Sequence, residues 1–132
     1  MYEKPLPGID NESRPYWEGA KQRKLLIQKC KDCGHHQHYP RALCIDCGSD
    51  AVELVEASGK GEIYTYTIAR RTGPAFADDV PYVPVIVQLE EGPKMISWVV
   101  TDDVDSVAIG QKVTVIFDDV TDEVTLPKFK QA

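Results

Sequence analysis

No stretch of this 132-residue chain is apolar over the length that a membrane-spanning helix requires. Met1 is followed by polar residues and Pro5 rather than by an apolar leader, so a cytoplasmic protein with reduced thiols is expected, with no membrane partner. Positive charge is also scarce. Fifteen Lys and Arg face 21 Asp and Glu, for a net charge of −6, and residues 1–57 and 58–132 each carry more acids than bases. Proteins that bind nucleic acid neutralise phosphates with clustered Lys and Arg, so this balance argues against a DNA or RNA partner. Cysteine is limited to four residues and histidine to three, which leaves few groups for nucleophilic or acid–base chemistry.

What cysteine there is has a pattern. Cys30-Lys31-Asp32-Cys33-Gly34 and Cys44-Ile45-Asp46-Cys47-Gly48 are two C-x-x-C-G turns close together in sequence. One such turn delivers two thiolates to a single ion, and a second closes a tetrahedral shell with no position left for water. The glycine after each pair allows the chain to turn back around the metal. Disulfides would suit a secreted domain, and a redox pair would not need a second copy of itself, so a shared structural ion accounts best for the pattern. Zinc is the expected metal, with iron in a rubredoxin-like S₄ shell as the chemical alternative.

Around the cysteines, Ser13 to Gln22 reads as a short helix with Ser13 as its cap and Pro15 in its first turn. Leu25–Lys29 and Val52–Glu56 read as strands that enter and leave the metal turns. Gly59-Lys60-Gly61 divides the chain into a helix-plus-ribbon unit, 1–57, and a β unit, 58–132. In the second unit, strands are expected at Glu62–Arg70, Val83–Leu89, Met95–Val100, Lys112–Phe117 and Val120–Leu126, with one helical turn over 102–107. The fold class is therefore mainly β with a short amino-terminal helix, and five strands with a helical turn after the third suggest an OB barrel.

The run Arg14-Pro15-Tyr16-Trp17-Glu18-Gly19, the two C-x-x-C-G turns, Val55 to Gly61, Tyr64-Thr65-Tyr66-Thr67, Pro81-Tyr82-Val83, and Asp118 to Asp122 with Leu126-Pro127-Lys128-Phe129 together resemble a known family. It comprises the zinc-ribbon plus OB-fold proteins catalogued as domain of unknown function 35, associated with acyl-CoA enzymes. The resemblance implies a non-catalytic accessory subunit of a thiolase, or of a thiolase-like condensing or retro-aldol enzyme. Such a subunit forms a hetero-oligomer with the catalytic chain and shares coenzyme A or an acyl-CoA with it. An isolated single-stranded nucleic-acid module is the alternative, since zinc ribbons and OB barrels also serve that role.

On this reading the metal ligands are Cys30, Cys33, Cys44 and Cys47, and no catalytic residue is assigned. His35, His36 and His38 read as loop residues beside the first turn, and the paired acids 78–79, 102–103 and 118–119 as solvated turns. Arg41, Arg70 and Arg71 are candidates for the phosphates of coenzyme A, because guanidinium groups hold phosphate through paired hydrogen bonds. Tyr16 and Trp17 on a helix too short to stand alone, and Phe76 on the long loop 70–82, are candidates for the partner interface, with packing on this chain's own barrel as the alternative for the two helix aromatics.

Overall fold

Apolar residues alternate along β5 (Val83–Leu89), so Val83, Val85, Val87 and Leu89 all point into the interior and are fully buried. The computed structural model, which describes residues 4–132, closes this strand into a barrel with β4 (Lys60–Tyr66), β6 (Lys94–Val99), β7 (Lys112–Asp119) and β8 (Thr125–Gln131). The closed order is β4-β5-β6-β8-β7, with a parallel contact only between β6 and β8. The expected five-stranded barrel is present. Gly61 permits its first crossing, since a Cβ there would lie 2.6 Å from the Gln88 carbonyl oxygen on β5.

In front of the barrel lie α1 (Arg14–Lys21) and a three-stranded sheet of β1 (Leu26–Cys30), β2 (His36–Gln37) and β3 (Val52–Glu56), in the order β2-β1-β3. One hydrophobic cluster joins the two parts, with Tyr16, Leu25 and Ile27 packing together with Val85, Val99 and Phe129. Polar ties reinforce this packing at the end of α1. Arg23 forms a bidentate ion pair with Asp119 on β7, at 2.7 and 2.5 Å, and Lys21 donates to the Asp122 carbonyl. With the Thr125 hydroxyl, this guanidinium holds the Asp119 carboxyl well below the usual range.

Several expected boundaries move, each for a physical reason. The fifth barrel strand was expected at Val120–Leu126, but Thr121-Asp122-Glu123 forms the turn instead. The Thr121 hydroxyl accepts from the N–H groups of Glu123 and Val124, and β8 begins only at Thr125. β8 accommodates Pro127 because that edge is splayed from β6, to which it is laddered only through Val99 and Phe129. β4 ends at Tyr66 after a bulge between Ile63 and Thr65, and Ala69 rejoins the fold by an isolated bridge to Tyr82. The loop 70–82 contains a 3₁₀ turn, Pro74–Asp79, and the expected turn near 102–107 is 3₁₀ over Val104–Ser106, where the Asp103 carboxylate accepts from the Asp105 N–H. Ser13 does not cap α1 with its side chain. It exchanges hydrogen bonds with Asp10 instead, accepting from the Asp10 N–H and donating its own N–H to the carboxylate.

Phe129 is fully buried on β8, where it meets both β6 and β7. Phe129→Ala is expected to lower stability by about 3–5 kcal/mol in urea titration, the loss typical of a core phenylalanine.

Candidate metal centre and its surroundings

The two C-x-x-C-G turns are built alike. Gly34 N–H donates to the Cys30 carbonyl at 2.9 Å and Gly48 N–H to the Cys44 carbonyl at 3.0 Å, and the two glycines sit at φ 78° and 79°. That left-handed backbone is what glycine supplies without steric cost. The pairing β1–β2 and β1–β3 brings the turns face to face, so that all four Sγ atoms lie within 4.8 Å of one another. Cys30 and Cys47 approach to 3.6 Å, as do Cys33 and Cys44. A tetrahedral ion with metal–sulfur bonds of about 2.3 Å sets its ligands about 3.8 Å apart, so the cage has the right size.

The charges of the sulfurs lead to the same conclusion. The Cys33 N–H draws the Cys30 thiol down to about 7 against the effect of burial. At Cys33 the His35 N–H acts in the same direction, but burial and the three facing sulfurs outweigh it and push that thiol up to about 12. Four such sulfurs ionise together only around a cation. Cys30 and Cys44 are buried and Cys33 and Cys47 exposed, so the site lies at the surface with one side against the sheet. A closed S₄ shell has no open coordination position, so its chemistry is structural.

Two glutamines organise the second turn, and the sequence reading missed both. Gln28 and Gln37, 8 % and 3 % exposed, are bonded to each other at 2.8 Å. Gln28 donates to the Arg41 carbonyl and accepts from the Arg41 N–H, while Gln37 donates to the Leu43 carbonyl and accepts from the Ile45 N–H. The buried pair thus fixes the backbone of residues 41–45 as an extra sheet strand would. A glutamine following Leu25-Leu26-Ile27 in a strand was the available signal, because a polar side chain at a buried position must find partners.

His38 stands apart from the metal. Its ring packs against Tyr16 and Tyr39, at 5.2 and 4.2 Å between centroids, and burial depresses its pKa to about 4. His38 and both tyrosines line a groove of about 560 Å³ between the ribbon, α1 and the barrel.

The remaining candidates are spread out. Arg41 is exposed on the ribbon, while Arg70, paired with Asp105 at 3.4 Å, and Arg71 are exposed on the barrel loop, and none of the three lines the groove at His38. Tyr16 is a core residue at 6 % exposure, packed in the cluster that joins helix and barrel, which is the alternative the sequence left open for it. Trp17 is partly buried in the large groove, and Phe76 stacks on Tyr82, which in turn packs against Trp98.

Comparison with known proteins agrees with this architecture. Residues 17–53 match the family described as the ChsH2 rubredoxin-like zinc ribbon domain, and residues 54–118 the ChsH2 C-terminal OB-fold domain. A DUF35 domain-containing scaffold protein of Methanothermobacter thermautotrophicus is 37 % identical over 109 residues, which cover 81 % of this chain and 82 % of the relative. The chain belongs to the DUF35 family. This DUF35 chain also matches a solved structure described as an Ltp2-ChsH2(DUF35) aldolase, at 36 % identity and a TM-score of 0.85, over 96 % of this chain and 98 % of that one. A probable enoyl-CoA hydratase alpha subunit of Thermomonospora curvata is 37 % identical over 130 residues, but the chain spans only 40 % of that relative's length. The family description names a zinc ribbon, which favours zinc over iron for the four-cysteine site. Among the described residues no helix is long and apolar enough to cross a membrane.

Two outcomes are expected. Cys33→Ser, like prolonged chelation, removes about one equivalent of zinc per chain in elemental analysis and exposes the amides of 30–48 to hydrogen exchange. Separately, the neutral His38 of the folded state resists a proton that the unfolded chain accepts below about pH 6.5. Stability therefore falls as pH drops from 6.5 towards 4, by up to about 3 kcal/mol. His38→Phe is expected to flatten that part of the stability–pH curve relative to wild type.

Proposed function

We propose that this chain is a non-catalytic, zinc-bearing accessory subunit of an acyl-CoA enzyme of thiolase or thiolase-like, condensing or retro-aldol, type. A ribbon unit, 1–57, and an OB unit, 58–132, together brace the catalytic chain and help to hold coenzyme A. The observation that carries this reading is the near full-length likeness to the structure whose description joins ChsH2(DUF35) to Ltp2 as an aldolase. The chain's own chemistry supports it. The four thiols face one another in a closed cage, and among the described residues no other group of three or more His, Cys, Asp or Glu side chains converges. The nucleophile would then come from the partner.

Coenzyme A offers a pyrophosphate and a 3′-phosphate, and the exposed Arg71, with Arg70 and Arg41, is the proposed protein side of that contact. Arg70 is free to exchange its surface bond to Asp105 for a phosphate, since exposed pairs of this kind contribute little. Trp17 and Phe76 are the proposed aromatic contacts to the catalytic chain. A cytoplasmic location is part of this reading, supported by four cysteines that converge as metal ligands rather than pair as disulfides.

Co-expression with a thiolase-type acyl-CoA enzyme of the same organism should yield a stable complex that turns over acyl-CoA, with no turnover by this chain alone. Arg71→Ala is expected to weaken coenzyme A binding by the complex roughly tenfold in calorimetry and to leave assembly unchanged. A salt-sensitive, micromolar shift with an oligonucleotide would instead favour the nucleic-acid module, which the net charge of −6 opposes.

A further inference from the structure

Strands at the surface of a barrel ordinarily turn polar side chains outward. Here one cross-strand pair of β5 and β6 does not. Ile86 and Ile96 stand opposite each other in the ladder on the outer face, and Ile96 is 66 % exposed. On one side the apolar surface continues to Tyr64, 50 % exposed, with the Lys94 ammonium 4.2 Å above its ring. On the other it reaches the ribbon, because the Ile96 N–H donates to the Tyr39 hydroxyl at 3.2 Å. On the ribbon Leu43 and Ile45 are 52 % and 63 % exposed, and Ile45 shares a cleft with Lys94 of β6. Five of the eight large hydrophobic residues exposed among those described fall in this one band, which a scatter of surface residues would not produce.

The band is also held rigid. The buried Gln28–Gln37 pair grips the backbone at Arg41, Leu43 and Ile45, so two apolar side chains are presented on a loop with little freedom left to lose. Preorganisation of this kind lowers the cost of association. Beside Ile45, a cleft of about 490 Å³ separates the ribbon from the hairpin Glu91–Lys94. Two residues of its wall keep a buried atom without a partner, Glu91 Oε1 and His38 Nδ1. Lys94, the cation in that wall, has its ammonium over Tyr64. A carboxylate oxygen accepts, so Glu91 Oε1 calls for a donor, and for a positive one above all.

We infer that the band Tyr64, Ile86, Ile96, Tyr39, Leu43 and Ile45 is the surface on which the catalytic subunit docks, and that this partner brings an apolar patch flanked by an Arg or Lys that enters the cleft at Glu91. This rests on the accessory-subunit reading above and adds to it the face used and the partner's complementary chemistry.

The test uses the complex of the full chain with its acyl-CoA enzyme. Ile45→Asp and Ile96→Asp are expected each to weaken association at least tenfold in calorimetry, with melting temperature and zinc content of the free subunit unchanged. Glu91→Gln is expected to weaken it less and to reduce its dependence on salt. If Ile45→Asp disturbs the ribbon, Ile96→Asp and Tyr64→Asp on the barrel decide the matter. Wild-type affinity in those variants overturns the inference and leaves the accessory reading in place. Failure of the wild-type chain to assemble with any acyl-CoA enzyme removes that reading and the inference with it. A wild-type homodimer in sedimentation that Ile96→Asp dissolves assigns the band to a second copy of this chain, and also overturns the inference.

Discussion

The convergence of four cysteine sulfurs is the constraint on which the ribbon depends. A two-residue strand, β2, and two short turns bury too little apolar surface to order residues 30–50 without it. Once the sulfurs are drawn together, β1 and β3 are set antiparallel, the turns face each other, and Gln28 and Gln37 come within reach of the loop at 41–45. The position of every residue on the outer edge of the ribbon, Leu43 and Ile45 included, follows from that arrangement.

The barrel is stabilised in a different way. Its strands alternate inward valines with outward residues, and their closure removes exposed sheet edges except where β6 and β8 splay apart. Helix α1 and β1 pack near this opening. Tyr16, Leu25 and Ile27 share the barrel's hydrophobic cluster, and the Arg23–Asp119 pair binds the helix end to β7. Ribbon and barrel therefore present one continuous surface at their junction, and the groove and cleft lined by His38 both open there.

That continuity bears on the accessory role proposed for the chain. The four-cysteine cage and the side-chain-filled barrel together hold a surface in a defined shape. The apolar band and the cleft at Glu91 beside it lie on that surface, formed partly by the ribbon and partly by the barrel. A scaffold made of two rigid units gains most from contacts that span both, because such contacts also fix the relation between the units.

The metal centre was legible in the sequence because its information is local: two C-x-x-C-G turns determine geometry within five residues each. The barrel was legible in outline, since a period of two over five segments survives small errors of boundary. Its last strand was misplaced because Thr121 to Glu123 carries no apolar alternation to distinguish strand from turn, and only the pairing of β7 with β8 decides the register. The partners of Gln28 and Gln37 and the choice of core over interface for Tyr16 were left undecided by the sequence for one shared reason. Burial depends on what another part of the chain places against a residue, and a lone polar or aromatic side chain looks the same before that packing exists. By itself the sequence determined the metal cage, the barrel and the acidic charge, which rest on spacing, period and composition. Tertiary structure alone decided which apolar residues remain uncovered, because exposure is what is left after all the other surfaces have met.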